Sequence, residues 1–172
     1  FRWPAAVAFI GDDCSLYRTP GREGTAYDSL NVTIFNPRKA RVFPEHDLPA
    51  PMKVGHKLFA LSPRQAGAPP RLLVDAGRGA LGSPSVTFDG QSILISMAYQ
   101  EEPFYHIYRV PAGGGQPQRL TDGPFHDIDP VELPDGRIAF TSTRIGRFEE
   151  YHNPPSRSLF VMNPDGGDLR PL

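Results

Sequence analysis

Two stretches of this chain are written in one grammar, and that fact constrains the fold more than any other. Ser83–Met97 (SPSVTFDGQSILISM) and Asp129–Thr143 (DPVELPDGRIAFTST) align with Pro84 on Pro130 and Asp89-Gly90 on Asp135-Gly136. His106–Leu120 (HIYRVPAGGGQPQRL) and Ser158–Leu172 (SLFVMNPDGGDLRPL) align with Tyr108 on Phe160 and Leu120 on Leu172. The second copy is longer, and the surplus falls in Gly146–Arg157 (GRFEEYHNPPSR), which reads as a loop insertion. Tandem self-similarity at this period means a stack of supersecondary units, each burying its faces on its neighbours.

Each copy predicts four short strands. A first strand runs into Phe-Asp-Gly or Pro-Asp-Gly, where the Asp-Gly pair is read as a type I′ hairpin turn. A strand rich in β-formers follows, Ser92–Ser96 in one copy and Arg137–Thr141 in the other. A third strand occupies Ile107–Val110 or Leu159–Met162, and a Gly-rich turn leads to a short fourth. Pro (20) and Gly (17) make up about a fifth of the chain, a density that excludes many long helices and suits strands punctuated by turns. Lys57–Asp75 carries the outer half of a weaker third copy, with Leu58–Leu61 on the third strand and Arg71–Val74 on the fourth. Further upstream, Ala5–Ile10 and Asn31–Phe35 read as strands, and Gly11–Ser29 and Asn36–Gly55 as loops. The organisation predicted is an irregular or first-blade segment over 1–55, a partial blade over 56–82, and blades over 83–128 and 129–172. The fold class is all-β: a partial β-propeller of about three four-stranded blades.

The stretches RLTDGPFHDIDPVELPDGRIAFTSTR (Arg119–Arg144) and LFVMNPDGGDLRPL (Leu159–Leu172) resemble the PD40 repeats of TolB-like propellers. His-Asp-Ile-Asp-Pro at 126–130 and the strand around Phe104–Val110 are similar to hydrazine synthase alpha-subunit-like proteins. The resemblance spans about Leu58 to Leu172. It implies a ring of six or seven blades in an exported, periplasmic or secreted, bacterial protein. It also implies that this chain is a piece of a longer polypeptide, which fits its beginning at Phe1 rather than Met. Haem in the hydrazine synthase group is held through CxxCH. The one cysteine here, Cys14, lies in no such motif and in no Cys/His zinc pattern, so no cofactor is expected of this chain.

A net charge of −1 gives no basic footprint for nucleic acid, and no apolar run approaches the ~18 residues of a spanning helix. No nucleophile elbow is present; Gly82-Ser83-Pro84-Ser85 matches a blade's first strand rather than serine chemistry. Gly113–Gly115 lacks the Lys-Ser/Thr of a phosphate loop and matches the Asp165–Gly167 turn.

Two places are not accounted for by the repeat. The first is His126, Asp127 and Asp129, whose counterparts in the previous copy are Ala80, Leu81 and Ser83. A His and two carboxylates can bind a divalent cation, whereas Asp at such a place also caps turns. The second is the insertion, where Arg144, Arg147, Tyr151 and His152 mix cations and aromatics as protein-contact surfaces do. The function predicted is a non-catalytic binding or scaffold module that presents loops to a protein or ligand partner. The alternative is the propeller domain of a larger enzyme, a hydrazine-synthase-like haem oxidoreductase or a prolyl-oligopeptidase-type peptidase, with its catalytic residues elsewhere. Three blades do not close a ring, so remaining blades or a partner are expected to cover the open faces.

Overall fold

The computed structural model describes residues 7–12, 55–61, 68–100, 102–148 and 155–172; for 7–12 it describes the backbone. Eleven strands run in chain order among these residues: β1 (Val7–Asp12), β2 (His56–Leu61), β3 (Arg71–Asp75), β4 (Ala80–Val86), β5 (Ser92–Ala98), β6 (His106–Pro111), β7 (Gln118–Arg119), β8 (Asp127–Glu132), β9 (Ile138–Ser142), β10 (Ser158–Met162) and β11 (Arg170–Pro171). They form three antiparallel meanders, β1-β2-β3, β4-β5-β6-β7 and β8-β9-β10-β11, which is the all-β, bladed architecture expected. The upstream strand sits at Val7–Asp12, so Gly11 and Asp12 belong to it rather than to a loop. The strand expected at Asn31–Phe35 lies outside the described residues.

The repeat is visible in the register. Phe140 pairs with Phe160 and Ile138 with Met162 in the third sheet; Phe9 pairs with Phe59 and Val7 with Leu61 in the first. In the second sheet the same places hold Ile95 with Tyr108 and Ile93 with Val110. The first sheet's described strands therefore correspond to the second, third and fourth strands of the other two.

The hairpins differ from the expected type I′ turns. Gly136 N–H donates to the Leu133 carbonyl (2.8 Å) and Leu133 N–H to the Arg137 carbonyl (2.7 Å). Gly136 has a φ of +84°, while Pro134 and Asp135 keep negative values. This is a type I turn closed by one left-handed glycine, and Pro134 pre-sets the φ its first central position needs. Asn163-Pro164-Asp165-Gly166 repeats it, with Gly166 at +92°. Asp supplies a side-chain acceptor rather than a positive φ: Asp135 Oδ1 accepts from Arg137 N–H (3.1 Å), Asp165 Oδ1 from Gly167 N–H (2.9 Å) and Asp89 Oδ1 from Gln91 N–H (2.9 Å). The turn after β4 is one residue longer than that after β8, closing Thr87 on Ser92 instead of Leu133 on Arg137.

Period-two alternation then builds two cores around the middle sheet. Ile93, Ile95 and Met97 of β5, with Tyr108 and Val110 of β6, pack on Leu58, Ala60, Leu73 and Val74 of the first sheet. On the opposite face Leu94, Ile107 and Leu120 pack on Ile138, Phe140, Phe160 and Met162 of the third. A strand buried on both faces reads as a continuous apolar run, and β5 is one. His106 and Tyr108, two apart on β6, are both buried.

The far face of the third sheet shows what one blade does for another. Leu120 is 8% exposed, but its counterpart Leu172 is 66% exposed; Ile107 is 0% exposed, but its counterpart Leu159 is 54% exposed. Positions sealed in the second sheet by the third are open in the third.

Candidate functional site

Strand register divides the connections into two kinds. One end of the blades carries the tight turns at 87–91, 112–117, 133–137 and 163–169 and the nine-residue β2–β3 connection (62–70). The other end carries the β1–β2 connection (13–55), the β5–β6 connection (99–105), the β9–β10 connection (143–157) and the inter-sheet crossings at 76–79 and 120–126. The sheets are stacked in the same sense. Gln100 N–H donates to the Ala76 carbonyl and Asp127 N–H to the Tyr105 carbonyl at the long-loop end, while Arg71 reaches the Gly113 and Ala112 carbonyls at the turn end. The two longest connections, 13–55 and 143–157, therefore emerge on one side of a rigid scaffold, the arrangement from which binding surfaces are built.

The residues expected to form a site lie at or near this end, but they are not brought together as a metal centre. Asp127, the first residue of β8, is 0% exposed. Its Oδ1 accepts from Ser142 Oγ (2.6 Å) and Arg144 Nε (3.0 Å), and its Oδ2 from Arg144 Nη2 (2.7 Å). His106 Nδ1, also buried, stands 3.8 Å from Oδ2 and has no hydrogen-bond partner among the described residues. Burial opposes ionisation of Asp127, but the His106 imidazole, the Arg144 guanidinium and the Ser142 hydroxyl outweigh it and hold its pKa below the usual carboxylate value. Both oxygens are committed to an internal ion pair.

His126 points elsewhere. Its Nδ1 accepts from Tyr105 N–H (3.3 Å), its ring meets Phe104 edge-on at 5.2 Å, and its backbone N–H donates to Thr143 Oγ1 (3.0 Å). Burial, then the positive Arg157, lower its pKa and favour the neutral ring. Asp129 is exposed on the inner strand. Residues 127 and 129 of a regular strand would share a face, but a bulge breaks the alternation between Ile128 and Val131, and Asp129 sits in it with φ +56°. Ser83 occupies the corresponding bulge of β4 with φ +50°, and its hydroxyl donates to Asp129 Oδ1. Among the described residues no three His, Cys, Asp or Glu side chains are grouped to hold a metal ion.

The insertion divides likewise. Arg144 is the partner of Asp127; its Nη2 also donates to the Asp122 carbonyl, and its guanidinium lies 4.9 Å from the Phe125 ring centroid. Arg147 is exposed, and so are Ile145 and Phe148 (60%). A bridge between Phe148 and Pro155, and the bond from Ser156 N–H to the Arg147 carbonyl (2.8 Å), close the stem of this arm. Tyr151 and His152 lie outside the described residues. The sequence reading missed the buried partners Ser142 and His106. The signal was available: the counterpart of Asp127 is Leu81, an apolar residue, so the slot is internal and an acid there requires a cation.

No family profile and no curated protein matches the chain. Solved structures do. A TolB structure from Agrobacterium tumefaciens matches with a TM-score of 0.53 at 23% identity, over 67% of this chain and 40% of that one. Kuenenia stuttgartiensis hydrazine synthase matches with a TM-score of 0.55 at 14% identity, over 69% of this chain and 19% of that one. The chain thus spans less than half the length of either. At these identities the likeness shows the fold, a portion of a β-propeller of the TolB-like kind. Among the described residues no helix is long and apolar enough to cross a membrane.

Proposed function

We propose that this chain is a propeller module that works by binding, and that it presents its long-loop end to a protein partner. One observation carries the reading. The two longest connections, 13–55 and 143–157, leave the blades at that end, and the third blade's arm exposes Ile145, Arg147 and Phe148 there, next in sequence to Arg144, which packs on Phe125. Aromatic and Arg side chains set among apolar neighbours are the composition of interface anchors. The family resemblance supports placing the protein in the periplasm or outside the cell.

A photo-crosslinking residue at position 148 tests the proposal in cells of the source organism, with one at the opposite end, position 88, as comparison. Discrete adducts at 148 and none at 88 are expected. Adducts at both positions alike, or at neither, contradict it.

The hydrazine synthase likeness supports a second reading, in which the chain is the propeller of a larger enzyme. Catalytic and cofactor groups then lie outside this chain, whose Cys14 is in no CxxCH. A haem absorbance spectrum of the full-length protein tests the oxidoreductase form of this reading: Soret and α bands support it, and their absence excludes that form.

A further inference from the structure

The Asp127–Arg144 pair stands where two loops of the candidate surface begin. Asp127 is the first residue of β8, reached through the crossing at 120–126; Arg144 is the second residue of the β9–β10 connection, at the base of the insertion arm. Arg144 spends its donors on both. Nε and Nη2 hold Asp127 through two parallel bonds, Nη2 also reaches the Asp122 carbonyl, and the guanidinium plane covers Phe125. Ser142 supports the same corner, its Oγ donating to Asp127 Oδ1 and accepting from Arg144 N–H (3.1 Å). A planar fork meeting a carboxylate through two bonds fixes orientation as well as distance.

The second blade gives an internal comparison. By the register that places Phe140 on Ile95, Arg144 corresponds to Tyr99, and Asp127 corresponds to Leu81. Leu81 is buried and Tyr99 is half exposed, so the blade stands without an ion pair at this corner. That blade has the short connection, 99–105; the third has the long one, 143–157. The ion pair accompanies the long arm.

We infer that Asp127 and Arg144 form a clamp that locks the crossing loop at 120–126 and the base of the insertion arm at 143–148 into one rigid unit. Both are positioning residues. They hold Phe125 and His126 on one side and Ile145, Arg147 and Phe148 on the other in a fixed relation, without themselves facing a partner. This deepens the binding reading, but its test needs no partner and can fail or succeed independently.

The test is amide hydrogen exchange on the whole chain, comparing wild type with Arg144→Lys and Arg144→Gln. Lys keeps the charge and the stem but not the two parallel bonds. Exchange in Thr143–Phe148 and in Thr121–His126 is expected to accelerate together, at least tenfold beyond any change in β5 and β6, and more in Gln than in Lys. Two results overturn the clamp. One is an arm that accelerates while the crossing loop does not. The other is a uniform acceleration that includes β5 and β6, which would make the pair a general support of the fold. Should Arg144→Gln fail to fold, Arg144→Lys alone decides, since the same two segments must still accelerate together.

Discussion

Ile107 and Leu159 occupy the same place in two copies of one repeat, and the structure gives them opposite environments. Ile107 is 0% exposed, between the second and third sheets, whereas Leu159 is 54% exposed on a face no described sheet covers. Truncating each to Ala removes similar numbers of carbons. At Ile107 the loss combines transfer and cavity terms, about 2–5 kcal/mol for a fully buried aliphatic side chain. At Leu159 the side chain already meets solvent over half its surface, so the loss is less than about 1 kcal/mol, in keeping with surface substitutions. Urea unfolding followed by circular dichroism, at low protein concentration and with m checked for constancy, measures both. Leu120→Ala and Leu172→Ala form a second pair with the same expected ordering. Equal losses at Ile107 and Leu159 would refute the stacking of the third sheet on the second, or would mean that another surface covers the open face.

The remaining expectations follow from the same contacts. Asp127 has a folded-state pKa below its unfolded value, so its ion pair contributes stability above about pH 4 that is lost as the pH falls through the lowered value; Asp127→Asn should flatten the acid limb of a stability–pH curve, and an unchanged limb would count against the pair. Arg144→Ala leaves that carboxylate buried and unpaired and should cost about 3–5 kcal/mol in chemical denaturation. Asp127→Leu with Arg144→Tyr, the combination found in the second blade, should restore most of it. Gly166→Ala puts a Cβ 2.5 Å from the Leu120 carbonyl oxygen, in addition to a φ of +92°; Gly136→Ala has a φ of +84° and nothing within 4 Å. Both strain the backbone by about 1–3 kcal/mol, and Gly166→Ala should be the more damaging by calorimetric Tm.

Much of the fold is legible in the sequence because it rests on local chemistry. Pro-Asp-Gly and the alternation of Ile138, Phe140 and Ser142 fix a hairpin and a buried face without reference to the rest of the chain. The turn type differs because Asp-Gly suggests two positive φ values, whereas in all three turns the Asp is the second central residue at negative φ and only the glycine after it is positive; in two of them a proline pre-sets the first central residue. The site was less legible. Asp127 and Asp129 are two residues apart and suggest a shared face, but the bulge at Asp129 sends them apart, and a bulge shows itself only by comparison with Ser83-Pro84. Arg144 sits in a segment that reads as a contact loop. Its burial against Asp127 depends on where β8 begins relative to β9, a long-range register that no local pattern encodes.

The sheets stack in the same sense, with the inner strands β4 and β8 side by side and the two longest connections, 13–55 and 143–157, at one end. Ser83 and Asp129, hydrogen-bonded across that inner seam, report on it directly. With Cys14 replaced by Ser, a Ser83→Cys, Asp129→Cys chain should form an intramolecular disulfide under mild oxidation, seen as a faster-migrating monomer and confirmed by peptide mass. A Phe88→Cys, Arg144→Cys chain, with its cysteines at opposite ends of the blades, should not. A crosslink at 88–144, or none at 83–129 in folded protein, would contradict the arrangement.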